Sequence, residues 1–167
     1  EDKVFDFSIG NPSVPCPEKI TECMIKLLQE EEPVALHGYT SAAGDLDTRK
    51  AIADYINGKY SLGAEPQDIY MTAGAAACLT ISLKSVACQG EEVIVFTPYF
   101  PEYKVFIQNS GAATVEVPVD KNDFQIDFDA LEDAFSEKTA AVIINSPNNP
   151  TGAVLTEETL KKLGAFL

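Results

Sequence analysis

The segment best suited to binding a small molecule is a loop of neutral amides at residues 145–152, which reads Asn-Ser-Pro-Asn-Asn-Pro-Thr-Gly. Its prolines stiffen the backbone, and its asparagines carry amide groups. Such an amide can donate a hydrogen bond to a phenolate-like oxygen without adding charge. A plain turn is the alternative for any single Asn-Pro step. Eight such residues directly after an apolar segment favour a binding loop.

Two further segments offer contacts of other kinds. Residues 72–77, Thr-Ala-Gly-Ala-Ala-Ala, open a small-residue helix whose free N–H groups could bind a phosphate, with close packing as the alternative. The segment matches neither dinucleotide nor nucleoside triphosphate loop patterns, so neither ligand is favoured. Residues 97–103 place aromatic rings beside two prolines, where a ring could stack on a flat cofactor or fill a hydrophobic gap.

The charge balance restricts the classes of partner. The chain has 167 residues, with 12 Lys and Arg against 26 Asp and Glu, which gives a net charge of −14. Such a charge argues against nucleic acid or an anionic membrane as a partner. Arg49 is the one arginine and His37 the one histidine, so no histidine-rich metal site is expected.

The four cysteines and the hydropathy pattern indicate a cytoplasmic protein. Cys16, Cys23, Cys78 and Cys88 form no C-x-x-C pair, which makes a zinc ribbon unlikely to form. We expect reduced thiols that are at least partly buried, with Cys78 and Cys88 on one helix. No apolar run reaches the length of a membrane span.

The predicted elements place these segments at one edge of a sheet. Apolar periodicity and capping residues predict helices at 17–31, 45–57, 75–88, 101–109 and 129–135, and strands at 68–72, 93–96, 114–117 and 140–145. A further helix follows Thr156, and Asp129 is the expected N-cap of the helix at 129–135. Strands that alternate with helices predict an α/β fold, with a mostly parallel sheet and helices on both faces. Ligands of such sheets bind beyond the carboxyl ends of the strands, where the three segments lie.

Four motifs together resemble one enzyme family. Residues 146–152 resemble the Asn-Pro-Thr-Gly signature of class I/II aminotransferases, which are fold-type I enzymes that depend on pyridoxal 5′-phosphate. Residues 8–12 are similar to the Gly-x-Pro substrate loop of that family, and residues 37–53 to its Tyr…Gly…Arg-x-Ala-Ile-Ala segment. Residues 72–76 are similar to its phosphate loop. The resemblance is to the aspartate-aminotransferase type and extends over essentially the whole chain.

The resemblance implies roles for individual cofactor-binding residues. The backbone N–H groups of Ala75 and Ala76 would bind the phosphate of pyridoxal 5′-phosphate. Phe100 would stack on the pyridine ring, at a position where the family often has Tyr or Trp. Asn149 would donate to the ring hydroxyl oxygen and contact the substrate.

The resemblance also implies a homodimer and a substrate contact. Tyr39 would reach the phosphate of the cofactor in a partner subunit, and Gly10 would contact the substrate carboxylate through its backbone. Thr48 stands where the family usually has Leu, before Arg49, which we expect to be structural. The Thr97-Pro98 and Asn149-Pro150 bonds are expected to be cis, as in relatives.

The groups that perform the chemistry in this family are expected outside the sequence. None of the 11 lysines stands in the Ser-Lys context of the Schiff-base lysine, so no catalytic residue is assigned here. The chain begins without Met and its last apolar stripe continues to Leu167, which predicts a piece of a longer protein. We expect residues 1–40 to form an N-terminal arm and first helix, and residues 41–167 the first part of the cofactor-binding large domain.

The expected function is that of an aminotransferase fragment. The parent would move an amino group between an amino acid and a 2-oxo acid, while this chain alone would be inactive. A pyridoxal-phosphate-dependent carbon–sulfur lyase remains an alternative, as does the aminotransferase-like ligand-sensing domain of a regulator. An aspartate-type or broad specificity follows only from overall resemblance.

Overall fold

The computed structural model describes residue 10 and residues 14–167. Its contacts divide the chain into two compact units, Glu1–Met71 and Thr72–Leu167. The domain boundary expected after residue 40 stays a prediction.

Helices form the first unit. They are α1 (Glu18–Glu30), α2 (Pro33–His37) and α3 (Leu46–Tyr60), followed by a short 3₁₀ turn, Pro66–Asp68. The apolar side chains of α1 lie on one face, as its periodicity predicts, but they remain exposed within the described structure. Asp45 caps α3 by accepting the N–H of Thr48 at 2.8 Å.

The predicted end of α3 at Asn57-Gly58 is wrong. The helix continues to Tyr60 and ends at Ser61, whose φ of 54° is left-handed. Asn57 does not stop the helix because its side chain binds a neighbouring loop. Its Nδ2 donates to the carbonyl of Ala64, and its Oδ1 accepts the N–H of Ala64, both at 2.7 Å.

Arg49 has the structural role that we expect from the sequence. It is half-buried in α3, and its Nε donates to the carbonyl of Gly44 at 3.2 Å. Its Nη1 donates to the carbonyl of Pro66 at 2.9 Å. The guanidinium therefore joins the loop before α3 to the 3₁₀ turn after it.

The strand predicted at residues 68–72 is absent from the described structure. Asp68 ends the 3₁₀ turn, and Tyr70 and Met71 are exposed. The N–H of Met71 donates to the carbonyl of Ala43, which belongs to a loop. An apolar segment becomes a strand only beside another strand, and this one has none in the described structure.

A parallel three-stranded sheet organises the second unit. Its elements are α4 (Ala75–Val86), β1 (Glu92–Thr97), α5 (Glu102–Ser110), β2 (Ala113–Pro118), α6 (Phe128–Ala134), β3 (Thr139–Ile143) and α7 (Glu157–Phe166). The strand order is β2-β1-β3, and both pairings are parallel. Glu92 of β1 lies opposite Ala113 of β2, and Val93 lies opposite Ala141 of β3. This confirms the predicted α/β class.

Helices cover both faces of the sheet, because β1 is apolar on both. Val93 and Val95 pack with residues of α4 and α5 on one face. Ile94 and Phe96 pack with residues of α6 and α7 on the other. The four side chains are at most 7% exposed, so β1 is the centre of the core.

Three local expectations are wrong. The N-cap of α6 is Asp127, which accepts the N–H of Ala130, and not Asp129. Helix α4 ends at Val86, so Cys88 lies beyond it. All four cysteines are free, as expected, but they are exposed rather than buried. No helix in residues 14–167 is long and apolar enough to cross a membrane.

Candidate functional site

An open cleft in the second unit brings together four of the five cofactor-binding residues that the family resemblance implies. It has a volume of about 420 Å³ and lies where β1 and β3 give way to loops and where α4 begins. Its lining contains Ala75, Ala76, Phe100 and Asn149. Residues separated by up to 74 positions therefore meet at one site.

The start of α4 presents unpaired N–H groups to the cleft. Gly74 precedes the helix with a φ of 87° and a ψ of 169°, a region that is essentially restricted to glycine. No side chain caps the helix. The N–H groups of the first helical turn have no intrahelical acceptor, and Ala75 and Ala76 are exposed. This arrangement suits a phosphate.

Phe100 supplies a half-buried aromatic face. Its ring contacts that of Tyr103 edge to face, with centroids 5.6 Å apart and planes at 78°. Tyr103 in turn stacks on Tyr99 at 6.3 Å. Burial raises the pKa of the Tyr103 hydroxyl above its ordinary value. The rings of α5 and the preceding loop thus hold Phe100 in one orientation.

A polar contact at the surface anchors the loop between β1 and α5 to β2. The hydroxyl of Tyr99 donates to Oε1 of Glu116 at 2.7 Å, and Lys104 pairs with the same oxygen at 3.3 Å. The Tyr99 hydrogen bond, with help from Lys104, lowers the pKa of Glu116. Burial, and then the contact with Glu116, raises the pKa of Tyr99.

The amide loop is shaped by hydrogen bonds of its own side chains. Oδ1 of Asn148 accepts the N–H of Thr151 at 3.1 Å and its hydroxyl at 2.9 Å. The N–H of Gly152 donates to the carbonyl of Asn148 at 2.7 Å. The N–H of Asn149 donates to Oδ1 of Asn145 at 2.7 Å. Asn149 itself is exposed in the cleft.

Three proline bonds beside the cleft are cis. Two of them, Thr97-Pro98 and Asn149-Pro150, are those that the sequence predicts. The third, Ser146-Pro147, was not predicted.

Two predicted site residues belong to the first unit. Tyr39 follows α2 and is fully exposed. Gly10 is exposed, and a Cβ there would have no atom within 4 Å. Most of the substrate loop expected at residues 8–12 lies outside the described residues. The roles of Tyr39 and Gly10 stay predictions.

Two residues of the cleft wall, Leu79 and Phe106, lie outside the segments that the sequence analysis singled out. Four others lie inside those segments but were given no individual role: Glu102, Tyr103, Asn145 and Pro147. Tyr103 and Phe106 follow the predicted Phe100 at intervals of three residues. This helical spacing could have revealed both of these further rings in the cleft wall. Within the described range, no group of three or more His, Cys, Asp or Glu residues could hold a metal ion.

The chemistry of the cleft is neutral and partly aromatic. It combines unpaired helix N–H groups, one aromatic face and the exposed side-chain amide of Asn149. A planar ring that carries a phosphate and a hydroxyl oxygen satisfies all three contacts.

Comparisons with known proteins agree with this chemistry. The family model for aminotransferase class I and II matches residues 2–167. A solved amino transferase of Eubacterium rectale is 51% identical, with a TM-score of 0.94 over 98% of this chain and 42% of that one.

Curated relatives show the same similarity. The "Probable aspartate/prephenate aminotransferase" of Aquifex aeolicus is 35% identical over 98% of this chain and 41% of its own length. The "(5-formylfuran-3-yl)methyl phosphate transaminase" of Methanocaldococcus jannaschii is 36% identical over 93% of this chain and 39% of its own length. The chain thus spans about two fifths of these relatives. It belongs to the class I and II aminotransferases.

Proposed function

We propose that this chain contributes a cofactor-binding part of an aminotransferase that moves an amino group between an amino acid and a 2-oxo acid. The family depends on pyridoxal 5′-phosphate. The observation that carries the proposal is the cleft in which Ala75, Ala76, Phe100 and Asn149 meet.

The residues present fit this cofactor. The N–H groups of Ala75 and Ala76 would hold its phosphate, since they begin a helix that no side chain caps. Phe100 would cover one face of the pyridine ring. The Asn149 amide would donate to the ring hydroxyl oxygen and hold negative charge there. When bound, the cofactor supplies an electron sink for charge that develops at the substrate.

The chain's own contribution is orientation and exclusion of water. Leu79, Phe106 and Pro147 give the cleft wall an apolar part, and Tyr103 fixes the ring of Phe100. An apolar wall strengthens the hydrogen bonds that remain inside it. Gly10 would contact the substrate carboxylate, and Asn149 would contact the substrate as well as the cofactor.

The substrate is defined here only as a class. The names of the two relatives share amino-group transfer but differ in what they act on, an aspartate/prephenate pair in one and a furan methyl phosphate in the other. We therefore propose an amino acid and a 2-oxo acid as partners, with an aspartate-type specificity as the first to be tried.

We also propose a cytoplasmic homodimer. The complete exposure of Tyr39 leaves its hydroxyl available to a partner subunit, where it would reach the cofactor phosphate. The net charge of −14 disfavours nucleic acid and anionic membranes as partners of this part of the protein.

The lysine that would join the cofactor is not assigned to this chain. No lysine within the described range lines the cleft. We therefore expect the 167-residue chain to bind the cofactor without performing the reaction.

Product analysis tests the proposed reaction. The protein containing this chain at its full length would be given pyridoxal 5′-phosphate, aspartate and 2-oxoglutarate, and then other amino acids in turn. Formation of a new amino acid and a new 2-oxo acid in equal amounts is expected. Release of ammonia and a thiol from a sulfur amino acid, without amino-group transfer, would favour the lyase alternative instead.

A further inference from the structure

We propose that Asn145 is a positioning residue, which orients Asn149 by accepting the hydrogen bond of its backbone N–H. This inference rests on the proposed function, because Asn145 has this task only if Asn149 binds the cofactor. Neither the family resemblance nor the comparisons assign a role to Asn145.

The hydrogen bond is short and is the one hydrogen bond of Asn149 among the described residues. The N–H of Asn149 lies 2.7 Å from Oδ1 of Asn145. A backbone N–H needs an acceptor, so the oxygen of the Asn145 amide must face Asn149. Without this contact, the exposed Asn149 would have no hydrogen bond to the rest of the described structure.

Asn145 connects Asn149 to the end of strand β3. It lies two residues beyond the end of β3 at Ile143 and is half-buried, whereas Asn149 is exposed. Strand β3 pairs in parallel with the buried core strand β1, from Val93 opposite Ala141 to Val95 opposite Ile143. The contact therefore ties the loop residue to the end of a strand that is paired with the core.

The remaining bonds of the loop do not replace this contact. Asn148 binds Thr151 through its side chain and Ala153 through its backbone N–H, the latter at 2.8 Å. These bonds shape the turn from residue 148 to 153, but none of them involves Asn149. Loss of Asn148 would thus loosen the turn while the acceptor for the Asn149 N–H remains.

Asn145 also lines the cleft itself. Its Nδ2 makes no hydrogen bond to any described residue. The Asn145 side chain therefore forms part of the cleft wall next to Asn149, in addition to accepting the Asn149 N–H. A small displacement of Asn149 would move its amide away from the ring oxygen, and hydrogen bonds weaken steeply with misalignment.

Three substitutions separate positioning from general loosening. Asn145→Leu keeps similar size and removes the acceptor, and Asn145→Asp retains a carboxyl oxygen as acceptor. Asn148→Leu is the matched control, because it removes an asparagine of the same loop without touching the Asn149 contact.

The first readout is water exchange of the Asn149 amide, measured by NMR in the ¹⁵N-labelled chain. Exchange should accelerate about fivefold in Asn145→Leu, the factor that corresponds to a hydrogen bond of about 1 kcal/mol. Exchange in Asn145→Asp should stay close to that of the unmodified chain. In Asn148→Leu, exchange of the amides of residues 151 and 152 should accelerate more than exchange of the Asn149 amide.

The second readout is binding of pyridoxine 5′-phosphate. This probe has the ring and phosphate of the cofactor but no aldehyde, so it forms no imine with surface lysines. Its Kd should rise by about fivefold in Asn145→Leu, in line with the same loss of one hydrogen bond. Asn145→Asp is used only for the exchange readout, because its carboxylate would repel the anionic probe.

The outcomes separate this inference from the proposed function. If the unmodified chain binds the probe and Asn145→Leu binds it equally well, positioning by Asn145 is overturned and the proposed function stands. Positioning by Asn145 would also be overturned if Asn148→Leu accelerated exchange of the Asn149 amide as much as Asn145→Leu does. If the full-length protein that contains this chain binds no probe at Ala75, Ala76 and Asn149, the proposed function of the cleft fails, and the positioning role fails with it.

Discussion

Neutral groups carry most of the polar contacts in the cleft. Asn145, Asn149 and the helix N–H groups are uncharged, and Glu102 is the one ionisable acid in the lining. The sequence predicts Asn149 and Phe100 through the family resemblance, and their roles stay predictions. It assigns no role to Asn145, since the contact with Asn149 depends on a loop that folds back by four residues, and no local pattern specifies where the side-chain oxygen points.

The aromatic face can be tested at a single residue. Phe100→Leu should weaken binding of pyridoxine 5′-phosphate by about fivefold, because a ring–ring contact contributes about 1 kcal/mol beyond the area that it buries. Isothermal titration would give the Kd. Phe135→Leu is the matched control, since Phe135 packs against Phe166 and does not line the cleft. An equal loss of affinity in the control would contradict the stacking role.

The contact between Tyr99 and Glu116 should be visible as a pH effect. Because the folded-state pKa of Glu116 is lowered, the contact stabilises the fold above the ordinary pKa of a glutamate, and this stabilisation disappears as the pH falls through the lowered value. Tyr99→Phe should raise the pKa of Glu116, as measured by NMR titration of its carboxyl group.

Lys104→Met is the comparison for this measurement. Lys104 lowers the pKa of Glu116 through a hydrogen bond and through its charge, so removal of the lysine should also raise this pKa. An unchanged pKa in Lys104→Met would show that the Tyr99 hydroxyl acts alone.

At the scale of elements, the sequence predicts well where apolar periodicity and a capping residue coincide. Thr156 caps α7 as predicted, and β1 is longer than predicted by one residue at each end. Prediction fails where the outcome depends on a distant neighbour. Residues 68–72 have the composition of a strand but no strand beside them, and Asn57 binds a loop instead of ending α3.

The start of α4 depends on glycine at position 74. Gly74→Ala should lower the free energy of unfolding by about 1–3 kcal/mol, because its backbone angles are strained for any residue with a Cβ. Chemical denaturation would measure the change. No atom lies within 4 Å of the added Cβ, so the cost comes from the backbone and not from a clash.

Gly164→Ala is the matched control in the same unit. Gly164 lies inside α7, and its added Cβ would also meet no atom within 4 Å. An alanine in a helix is favoured over glycine by about 0.5–1 kcal/mol, so this variant should be slightly more stable. A similar change in both variants would show that the conformation at Gly74 is not what matters.

At the scale of the whole molecule, the predicted cofactor contacts of the cleft lie within the unit Thr72–Leu167. Tyr39 and Gly10 belong to the other unit, and the chain spans about two fifths of its relatives. The fold class and the cofactor loops could be predicted from this piece, since they depend on local motifs. The reaction could only be proposed, because no lysine of the described part lines the cleft.

Lysine labelling tests the expectation that this chain binds without reacting. After incubation with pyridoxal 5′-phosphate and reduction with borohydride, mass spectrometry should find modification spread over exposed lysines, such as Lys26 and Lys161. No single lysine should be labelled in preference, because none within the described range lines the cleft. Stoichiometric labelling of one lysine, lost on its replacement by Met, would contradict this expectation.

The open edges of the sheet have a consequence for the behaviour of the 167-residue chain on its own in solution. Strands β2 and β3 each have a strand neighbour on one side only, within the described residues. Unpaired edges can join edges of other molecules. At neutral pH the net charge of −14 keeps molecules apart, but this repulsion vanishes near the isoelectric point of about 4.3. Colloidal stability should therefore be lowest in mildly acidic buffers, where neighbouring sheets can approach and flocculate.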